Sequence, residues 1–238
     1  MEPTGTDYFE RVAPEWDALR AELFPDSLRD RVIAAARCRS GPGGPGEPAV
    51  VVDLGAGSGF LTGGLLAAGA RVIAVDPAEA MLIEQRRKFP EAVASRQLRL
   101  RRAGAEAIPL ADDSVDAVVA NMVLHHVEDP AAAIREIARV LRPGGRVVIS
   151  DLDAHDHERL RTEQHDRWLG FERGDVRAWL RDAGLEAAGV ADADATCCLC
   201  SGGSEDSSRR AVSINVFLAS ARKPGGPDAA CAPAACTC

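Results

Sequence analysis

Two periodicities of apolar residues divide the chain between residues 49 and 152 into alternating strands and helices. Short continuous apolar runs, such as AVVVDL at 49–54, are typical of strands that are buried on both faces of a sheet. Runs of this kind predict strands over 49–54, 70–76, 97–102, 115–121 and 146–152. Helical spacing predicts helices over 60–68, 78–88 and 130–141. Because strand, helix and strand at this spacing form right-handed crossover units, we expect an α/β protein with a largely parallel sheet.

The residues before the first strand have a different pattern. Residues 7–37 have helical periodicity, and a Gly/Pro cluster at 41–48 separates them from the strand. Within the α/β region, Asp129 is the expected N-cap of the helix over 130–141, and Pro-Gly-Gly at 143–145 is expected to end it.

The last third of the chain is predicted to add helices and a pair of strands. Helices are expected over 155–169 and 174–183, with Gly184 as the C-cap of the second. Two strands follow at 185–190 and 212–221, joined by a loop that contains Cys-Cys-Leu-Cys. Since no crossover helix connects them, we expect these strands to pair antiparallel at one edge of the sheet.

Composition and charge narrow the classes of partner. Apolar residues make up 46% of the chain, enough to cover both faces of a sheet, and the formal net charge is −8. A nucleic-acid partner is not expected, because there is no basic excess to replace phosphate counterions. The sequence has no apolar stretch of membrane-spanning length and no secretory signal pattern, so no membrane association and a cytoplasmic location are expected. The oligomeric state is left open.

The seven cysteines are distributed unevenly. Cys38 stands alone, and the others form two groups: Cys197, Cys198 and Cys200, then Cys231, Cys236 and Cys238. In a reducing compartment such clusters indicate thiols that bind metals or metalloids or do redox work, and not a disulfide framework.

A glycine-rich turn, DLGAGSGF, follows the first predicted strand and is the clearest candidate ligand site. Its glycines are Gly55, Gly57 and Gly59, whereas a dinucleotide fingerprint would require the third glycine at position 60. Asp53 lies where a pyrophosphate would bring negative charge. Both features disfavour NAD and favour a ligand with a cationic amino group, such as S-adenosylmethionine. Asp76, at the end of the second strand, can accept hydrogen bonds from two ribose hydroxyls.

Four blocks in this region resemble the class I S-adenosylmethionine-dependent methyltransferases, especially the small-molecule branch with the ubiquinone-biosynthesis-like (type 11) domain. They are VVVDLGAGSGFLT, RVIAVDPAEAML, AEAIPLADDSVDAVVANMVLHHVEDP and IREIARVLRPGGRVVISD, and they span about residues 49–151. The resemblance implies a doubly wound, Rossmann-like sheet of seven strands, mostly parallel with one antiparallel edge strand. It implies an N-terminal helical lid (1–40) and the methyltransferase domain (49–222). The Pro/Gly/Ala-rich composition of residues 223–238 predicts a flexible Cys-containing tail.

The resemblance also implies roles for individual residues around the cofactor. Asp53 and Gly55 would lie near its methionine end, Asp76 on its ribose, Met81 against its adenine, Ala105 and Glu106 at the adenine edge, and Asn121 beside the sulfonium. Where the family usually has an Asp that binds the adenine amino group, this chain has Gly104. Either Glu106 or a backbone carbonyl supplies that contact, or the adenine is held less tightly.

The segment DYFERVAPEWD resembles the lid of these enzymes. On that interpretation Tyr8 and Trp16 close over cofactor and substrate. The alternative is that Phe9, Val12 and Trp16 are the buried stripe of an amphipathic helix, and the two interpretations weigh equally.

Three features could contact the methyl acceptor at the carboxyl ends of the strands. The first is His125–His126, of which one could act as a general base, although the Leu-His-His sequence is common in the family whatever the substrate. The second is a group with alternating spacing, Asp151, Asp153, His155 and His157, which could bind a metal if the segment were extended. A helix there would make Asp153 an ordinary N-cap instead, and this interpretation is favoured.

The third feature is the group Cys197, Cys198 and Cys200. Soft thiolates select soft ligands, and the C-terminal half resembles, more loosely, short bacterial arsenite methyltransferases. The leading hypothesis is therefore methylation of trivalent arsenic held by these three cysteines, with a thiol reductant as co-reactant. The alternatives are O-, N- or C-methylation of a small organic acceptor with His125 or His126 assisting, and a non-catalytic thiol-based metalloid-binding protein.

Overall fold

Strands and helices alternate through the computed structural model, which describes residues 5–36, 47–199 and 212–225. The strands are β1 Val50–Leu54, β2 Arg71–Asp76, β3 Leu98–Arg102, β4 Val115–Asn121, β5 Leu141–Leu152, β6 Glu186–Leu199 and β7 Val212–Arg222. The helices are α1 Gly5–Val12, α2 Trp16–Leu23, α3 Asp26–Ala36, α4 Phe60–Ala67, α5 Glu79–Lys88, α6 Pro90–Ala94, α7 Pro130–Val140, α8 Leu160–Glu163 and α9 Arg173–Asp182. Short 3-10 turns cover Ala13–Glu15 and Leu124–His126.

The seven strands form one sheet in the order β3-β2-β1-β4-β5-β7-β6. Strands β1 to β5 pair in parallel, and β7 runs antiparallel to both of its neighbours, β5 and β6. The predicted fold class, a seven-stranded and mostly parallel α/β sheet, is confirmed. Because the first strands are parallel, their carboxyl ends meet along one edge of the sheet, and ligand-binding loops collect there.

The sheet is covered on both faces, which explains why the predicted strands are continuously apolar. Val51 of β1 packs with Leu28 and Val32 of α3 on one face. Its neighbour Val52 packs with Ile134 and Ile137 of α7 on the other. Successive side chains of a strand point to opposite faces, so a strand between two helical layers needs apolar residues at every position.

The helical periodicity over 7–37 is confirmed, but it is divided among three helices. Pro14 lies in the 3-10 turn that separates α1 from α2, and Pro25 directly precedes α3. Proline lacks an N–H donor and its ring crowds the preceding helical turn, so each proline ends one helix. Among the described helices, none combines the length and apolar character needed to cross a lipid bilayer.

The helix predicted over 155–169 is wrong, because only α8 is helical there. The segment instead turns back on itself: Ala154 N–H donates to the Phe171 carbonyl, and His155 N–H donates to the Leu169 carbonyl. The predicted N-cap Asp153 is also wrong, since its two carboxylate oxygens each accept a 2.7 Å hydrogen bond from Arg173.

The last two strands extend further than the sequence predicts. Cys197 and Cys198 lie within β6, opposite Ile214 and Ser213 of β7, and not in a loop. The polar run before them showed no strand pattern, but its backbone groups pair with those of β7, with register shifts between Asp192 and Thr196. The backbone pairing with β7, and not the pattern of apolar side chains, therefore gives this segment its strand conformation.

The helix over 130–141 is confirmed with small changes at its end. The helix α7 ends at Val140, and the Pro-Gly-Gly at 143–145 belongs to the extended start of β5. The C-cap region of α9 is as predicted, with Gly184 at φ +78° directly after Ala183. The short helix α6 was not predicted.

We expect replacement of the confirmed N-cap, Asp129→Ala, to destabilise the protein by about 1 kcal/mol. The Asp129 carboxylate accepts a 2.9 Å hydrogen bond from the Ala132 N–H, which has no partner within the helix. Chemical denaturation of both proteins would measure the change. Asp156→Ala is the matched control, because the Asp156 side chain is fully exposed. Equal losses in both variants would contradict the capping role.

Candidate functional site

A cavity of about 320 Å³ opens at the carboxyl ends of the strands. The glycine-rich turn after β1 and the end of β2 line one side of it. The turn Leu124–His126 after β4, the segment around Asp166 and the β6 residue Cys197 line the other. Phe9 and Trp16 from the N-terminal helices also line it. Most of the candidate site residues predicted from the sequence therefore line one cavity.

The three glycines of the turn all adopt positive φ, at +64° for Gly55, +50° for Gly57 and +102° for Gly59. L-residues rarely adopt this conformation, so the glycines are needed for the shape of the backbone. At Gly55 there is a second constraint, because an added Cβ would lie against the methyl groups of Val123, one of them at 2.8 Å. Gly55 and Gly57 line the cavity, while Gly59 begins α4 beside Phe89.

Asp76, at the end of β2, lies beside the glycine-rich turn and binds its backbone. Its carboxylate accepts hydrogen bonds from the backbone N–H of Gly57 at 2.8 Å and of Ala78 at 2.9 Å. Burial raises the pKa of Asp76 to about 6, against the lowering effect of these two hydrogen bonds. Each carboxylate oxygen has two acceptor positions, so one position on each oxygen is left for a ligand hydroxyl.

Asp53 lies in the floor of the cavity with only 2% of its surface exposed. The Thr62 hydroxyl donates a 2.6 Å hydrogen bond to it. Burial raises the pKa of Asp53 to about 7, and the charge of Asp76 adds to the increase, while Thr62 opposes it. A buried carboxylate without a cationic partner is costly, so this position favours a ligand with a positive group.

The residues predicted at the adenine edge surround a space beside Gly104. Met81 and Ala105 are buried, and both line the cavity. One oxygen of Glu106, Oε1, accepts hydrogen bonds from the backbone N–H groups of Glu128 and Asp129, at 2.9 and 3.4 Å. Its other oxygen, Oε2, lies 3.3 Å from the point that a Cβ on Gly104 would occupy. The Glu106 carboxylate therefore lies close to the space that the side chain of an Asp at position 104 would enter.

The predicted sulfonium neighbour, Asn121, ends β4 at the centre of the cavity wall. Its side-chain oxygen accepts a 2.7 Å hydrogen bond from the Ser150 hydroxyl, which fixes the amide orientation. The next residue, Met122, has φ +57°, an unusual value for a residue with a side chain. This turn directs Val123 toward Gly55.

The N-terminal helices cover the cavity through a few specific contacts. Glu10 of α1 accepts hydrogen bonds from the backbone N–H groups of Glu79 and Ala80, at the start of α5. Asp17 of α2 accepts a 2.5 Å hydrogen bond from the Ser58 hydroxyl and forms an ion pair with Lys88. These contacts hold α1 and α2 on the glycine-rich turn.

The two aromatic residues of the predicted lid have different positions. Trp16 lines the cavity, with its indole Nε1 3.4 Å from the point that a Cβ on Gly57 would occupy. Tyr8 does not line it and packs instead against Phe9 and His165. Phe9 and Trp16 pack together and also face the cavity, an arrangement that is compatible with a packed helix face and with a lid.

His125 is buried and is held by Asp151. The His125 Nδ1 lies 2.6 Å from an Asp151 oxygen, and its Nε2 lies 3.8 Å from Asp166 Oδ1. Burial lowers the pKa of His125, but the charge and hydrogen bond of Asp151 and the charge of Asp166 outweigh it and raise the pKa to about 9. His125 is therefore positively charged at neutral pH.

His126 has the opposite electrostatic character. Burial and the charge of His125 hold its pKa well below the usual value, so it is neutral at neutral pH. Its Nδ1 lies 3.8 Å from the same Asp166 oxygen and 3.4 Å from the His165 carbonyl. Burial raises the pKa of Asp166 to about 6, with Asp151 contributing and His125 opposing.

Asp166 was missed by the sequence analysis, which assigned it to a helix. No local pattern marks it, because it reaches the histidines only through backbone hydrogen bonds of Arg167 and Trp168 to the His125 carbonyl. The alternating group proposed for a metal does not converge. Asp151 binds His125, Asp153 binds Arg173, and His155 and His157 stack on each other at 5.3 Å.

The clustered cysteines are separated by the strand. Cys197 is buried and lines the cavity, whereas Cys198 is exposed on the other face of β6, 3.7 Å from the Thr196 hydroxyl. Burial and the charge of Asp166 raise the pKa of the Cys197 thiol to about 12. Cys200, the third member, and the cysteines at 38, 231, 236 and 238 lie outside the described residues.

Residues 52–149 match the methyltransferase domain family. The match covers 98 of the 238 residues of the chain. This stretch contains the glycine-rich turn, Asp76, Glu106 and both histidines, so one side of the cavity and part of the other belong to the stretch that is similar to methyltransferase domains.

The relatives of the chain include several methyltransferases. An uncharacterized methyltransferase of Mycobacterium tuberculosis is 52% identical over 97 residues, which is 41% of this chain and 37% of that protein. A demethylmenaquinone methyltransferase of Clavibacter sepedonicus is 39% identical over 143 residues, 60% of this chain and 56% of that protein. A malonyl-[acyl-carrier protein] O-methyltransferase of Methylococcus capsulatus is 46% identical over 105 residues, 43% of this chain and 37% of that protein. The chain thus spans little more than half, or less, of these relatives.

Solved structures share the fold at low sequence identity. A Haloferax volcanii methyltransferase, solved with the Trm112 methyltransferase activator, aligns with a TM-score of 0.70 and 21% identity over 91% of this chain and 98% of that chain. The [4+2]-cyclase SpnF aligns with a TM-score of 0.69 and 16% identity over 94% of this chain and 98% of that chain. Identities this low establish the fold and leave the reaction to be argued from the site.

The cavity has the chemistry that S-adenosylmethionine, the cofactor of this family, requires. The positive φ values of the turn bring the backbone to the cavity wall without Cβ atoms. Asp76 keeps free acceptor positions for the ribose hydroxyls, and the buried Asp53 can neutralise the ammonium group. We therefore expect Asp53, Gly55, Asp76, Met81 and Asn121 to hold it.

We expect the affinity for S-adenosylmethionine to decrease as the pH is lowered through about 7, the pKa of Asp53. A carboxyl with a raised pKa takes up a proton below this pH, and the neutral form no longer attracts the ammonium group. The dissociation constant should rise roughly tenfold per pH unit in the acidic range. Calorimetric titrations from about pH 5.5 to about pH 8 would measure it.

Asp53→Asn is the control for this prediction. The variant keeps an acceptor for the Thr62 hydroxyl but cannot titrate, so it should bind weakly at every pH with a flat profile. A profile that remained as steep in Asp53→Asn would assign the titration to another group, such as Asp76.

We expect Glu106→Ala to weaken S-adenosylmethionine binding about 10- to 100-fold, if its free carboxylate oxygen accepts the adenine amino group. Adding Gly104→Asp to this variant should restore most of the affinity, because the Cβ of the new side chain lies 3.3 Å from the position of the lost Oε2 and the side chain can carry a carboxylate into the same space. Melting temperatures would show whether the variant is destabilised by the loss of the hydrogen bonds from the Glu128 and Asp129 N–H groups to Glu106. Unchanged affinity in Glu106→Ala would assign the adenine contact to a backbone carbonyl.

Proposed function

We propose that the chain transfers a methyl group from S-adenosylmethionine to a small organic acceptor. The observation that carries the proposal is the single cavity, in which the cofactor residues face the cluster formed by His125, His126 and Asp166. The bound cofactor supplies an electrophilic methyl group on a sulfonium. Acceptor and methyl carbon must be aligned for in-line displacement, so positioning is the main task of the protein.

The residues of the chain divide this task. Phe9, Trp16 and Phe60 give the cavity an apolar wall that can hold the body of an organic acceptor and exclude water. On the opposite side, the ion pair of His125 with Asp151 is a fixed donor toward the cavity. Neutral His126 and the Asp166 carboxylate can take up the proton that an oxygen or nitrogen acceptor loses.

Two of the relatives support an organic acceptor. Their names give demethylmenaquinone and malonyl-[acyl-carrier protein] as the methyl acceptors, and both acceptors are organic. We extend from them only the class of acceptor, an organic molecule, and not its identity.

The geometry gives less support to trivalent arsenic as the acceptor. Cys197 and Cys198 are on opposite faces of β6, so their sulfur atoms do not converge on one ion. The thiol of Cys197, with a pKa of about 12, is protonated at neutral pH, whereas metalloid binding requires thiolates. Arsenite methylation and non-catalytic metalloid binding stay as predictions that rest on Cys197 and on cysteines outside the described residues.

An acceptor screen separates these functions. Purified protein is incubated with methyl-labelled S-adenosylmethionine and hydroquinones, phenols, carboxylic acids, amines or arsenite with a thiol reductant, and products are identified by mass spectrometry. We expect a methylated organic product and the same rate in Cys197→Ser. Methylated arsenic alone, lost in Cys197→Ser, would contradict the proposal. Arsenite binding without any transfer would favour the non-catalytic alternative.

With an acceptor in hand, we expect His126→Gln to lower kcat by about 10²- to 10⁴-fold, as the loss of proton transfer does in other enzymes. The KM for S-adenosylmethionine should be unchanged, because the cofactor residues are on the other side of the cavity. His157→Ala is the matched control, since His157 packs on His155 and does not line the cavity. Equal rates in both variants would remove His126 from the reaction.

A further inference from the structure

We propose that His125, His126 and Asp166 form a binding site for a divalent transition-metal ion in the wall of the cavity. Donor atoms of the three side chains all lie within 4.8 Å of one another. Two imidazoles and one carboxylate are ligands for Zn²⁺, Fe²⁺ and Co²⁺, whereas Mg²⁺ and Ca²⁺ prefer sites made of oxygen atoms. The claim that a metal binds does not depend on the proposed methyl transfer.

The position of Asp166 Oδ1 is the first observation that points to an ion. This oxygen is buried, and it accepts no hydrogen bond from the described residues. It lies 3.8 Å from His125 Nε2 and also 3.8 Å from His126 Nδ1, too far for hydrogen bonds. At these distances neither ring nitrogen hydrogen-bonds to the buried oxygen, which is costly, and a cation among the three would satisfy it. Binding of the ion would displace the proton that His125 Nε2 carries when the site is empty.

The distances suit coordination better than they suit hydrogen bonding. Metal bonds to imidazole nitrogen and carboxylate oxygen are about 2.0–2.2 Å long. Two such bonds span up to about 4.2 Å, so the pairs at 3.8 Å can share one ion. Tetrahedral coordination with bonds of this length places the ligand atoms about 3.4 Å apart, so the donor atoms of these two pairs would approach by about 0.4 Å. The donor atoms of His125 and His126, which lie within 4.8 Å of each other, would approach as well.

Asp151 supplies a second observation that is independent of the first. It holds the far nitrogen of His125, Nδ1, at 2.6 Å and so directs Nε2 toward Asp166. A carboxylate on the outer nitrogen of a histidine is the usual partner of a metal-binding imidazole, because it fixes the ring and increases its basicity. Asp151 itself is locked by the backbone N–H groups of Leu124 and Leu152, each at 2.8 Å.

The site opens into the cavity, which leaves coordination positions for other molecules. His125, His126 and Asp166 all line the cavity beside Asn121 and Met122. Three protein ligands with open positions are typical of catalytic metal sites, whereas structural sites are closed. On the basis of the proposed function, a bound ion would replace direct proton uptake by His126 and Asp166. An open position would take an oxygen of the acceptor and lower the pKa of that oxygen, so that its proton is lost to water.

Titration with Co²⁺ under anaerobic conditions tests the site without cofactor or acceptor. Its visible d–d bands report coordination by nitrogen and oxygen, and a near-ultraviolet sulfur-to-cobalt band would report the cysteines instead. We expect one Co²⁺ per full-length chain, d–d bands without the sulfur band, and a metal-dependent increase in melting temperature.

Near-isosteric variants assign the ligands. We expect Asp166→Asn and His126→Gln to abolish saturable binding, and Asp151→Asn to weaken it about 10- to 100-fold, as the loss of an outer-sphere partner does. His157→Ala should bind as the wild type does. Its loss of binding would shift the site to the His155–His157 pair. Melting curves without metal show whether each variant is folded.

Three results would overturn the proposal. They are the absence of saturable Co²⁺ binding by the wild type, Co²⁺ binding that is retained in Asp166→Asn and His126→Gln, and a sulfur-to-cobalt band in the spectrum of the wild type with one Co²⁺ bound. The outcome is separate from that of the acceptor screen. Metal binding without methyl transfer would leave this site standing and contradict the proposed function, and methyl transfer by a protein that binds no metal would do the opposite.

Discussion

The buried carboxylate of Asp151 is the interaction on which the arrangement of the cavity depends. It lies at the end of β5 without solvent exposure, and it accepts hydrogen bonds from the backbone of Val123, Leu124 and Leu152 and from the His125 ring. A buried carboxylate is tolerated only when its oxygens are satisfied. The turn after β4 must therefore keep the one conformation that provides these donors. That conformation places His125 and His126 at the cavity.

The same turn couples the two sides of the cavity. Met122 has a positive φ, and Val123 then lies so close to Gly55 that no Cβ would fit there. The glycine at position 55 is thus explained by packing against the histidine-bearing turn as well as by the shape of its own backbone. A change in the backbone at Met122 or in the side chain of Val123 will therefore affect the glycine-rich turn, because the two are close-packed at Gly55.

The features that could be predicted from the sequence are those that depend on a few neighbouring residues or on a periodic pattern of apolar residues. The strand of Val115–Asn121 and the Asp129 cap follow from patterns within a few residues, so both were predicted correctly. Asp166 could not be found in this way, because its position depends on backbone pairing with His125, which is distant in sequence. Cys197 is similar: only pairing of β6 with β7 makes it part of a strand and turns its thiol to the cavity.

These long-range contacts also decide how the acceptor is selected. The side of the cavity with the glycine-rich turn is built from the first strands of the sheet, within the stretch that matches the methyltransferase domain family. The opposite wall is closed by Asp166, Leu160 and Cys197, which come from beyond residue 152 and outside the stretch that matches the family. If the chain transfers a methyl group as proposed, the acceptor atom must be held against this second wall. The similarity to methyltransferase domains then bears on the donor of the reaction, whereas the residues that select the acceptor come from a segment outside the matched stretch.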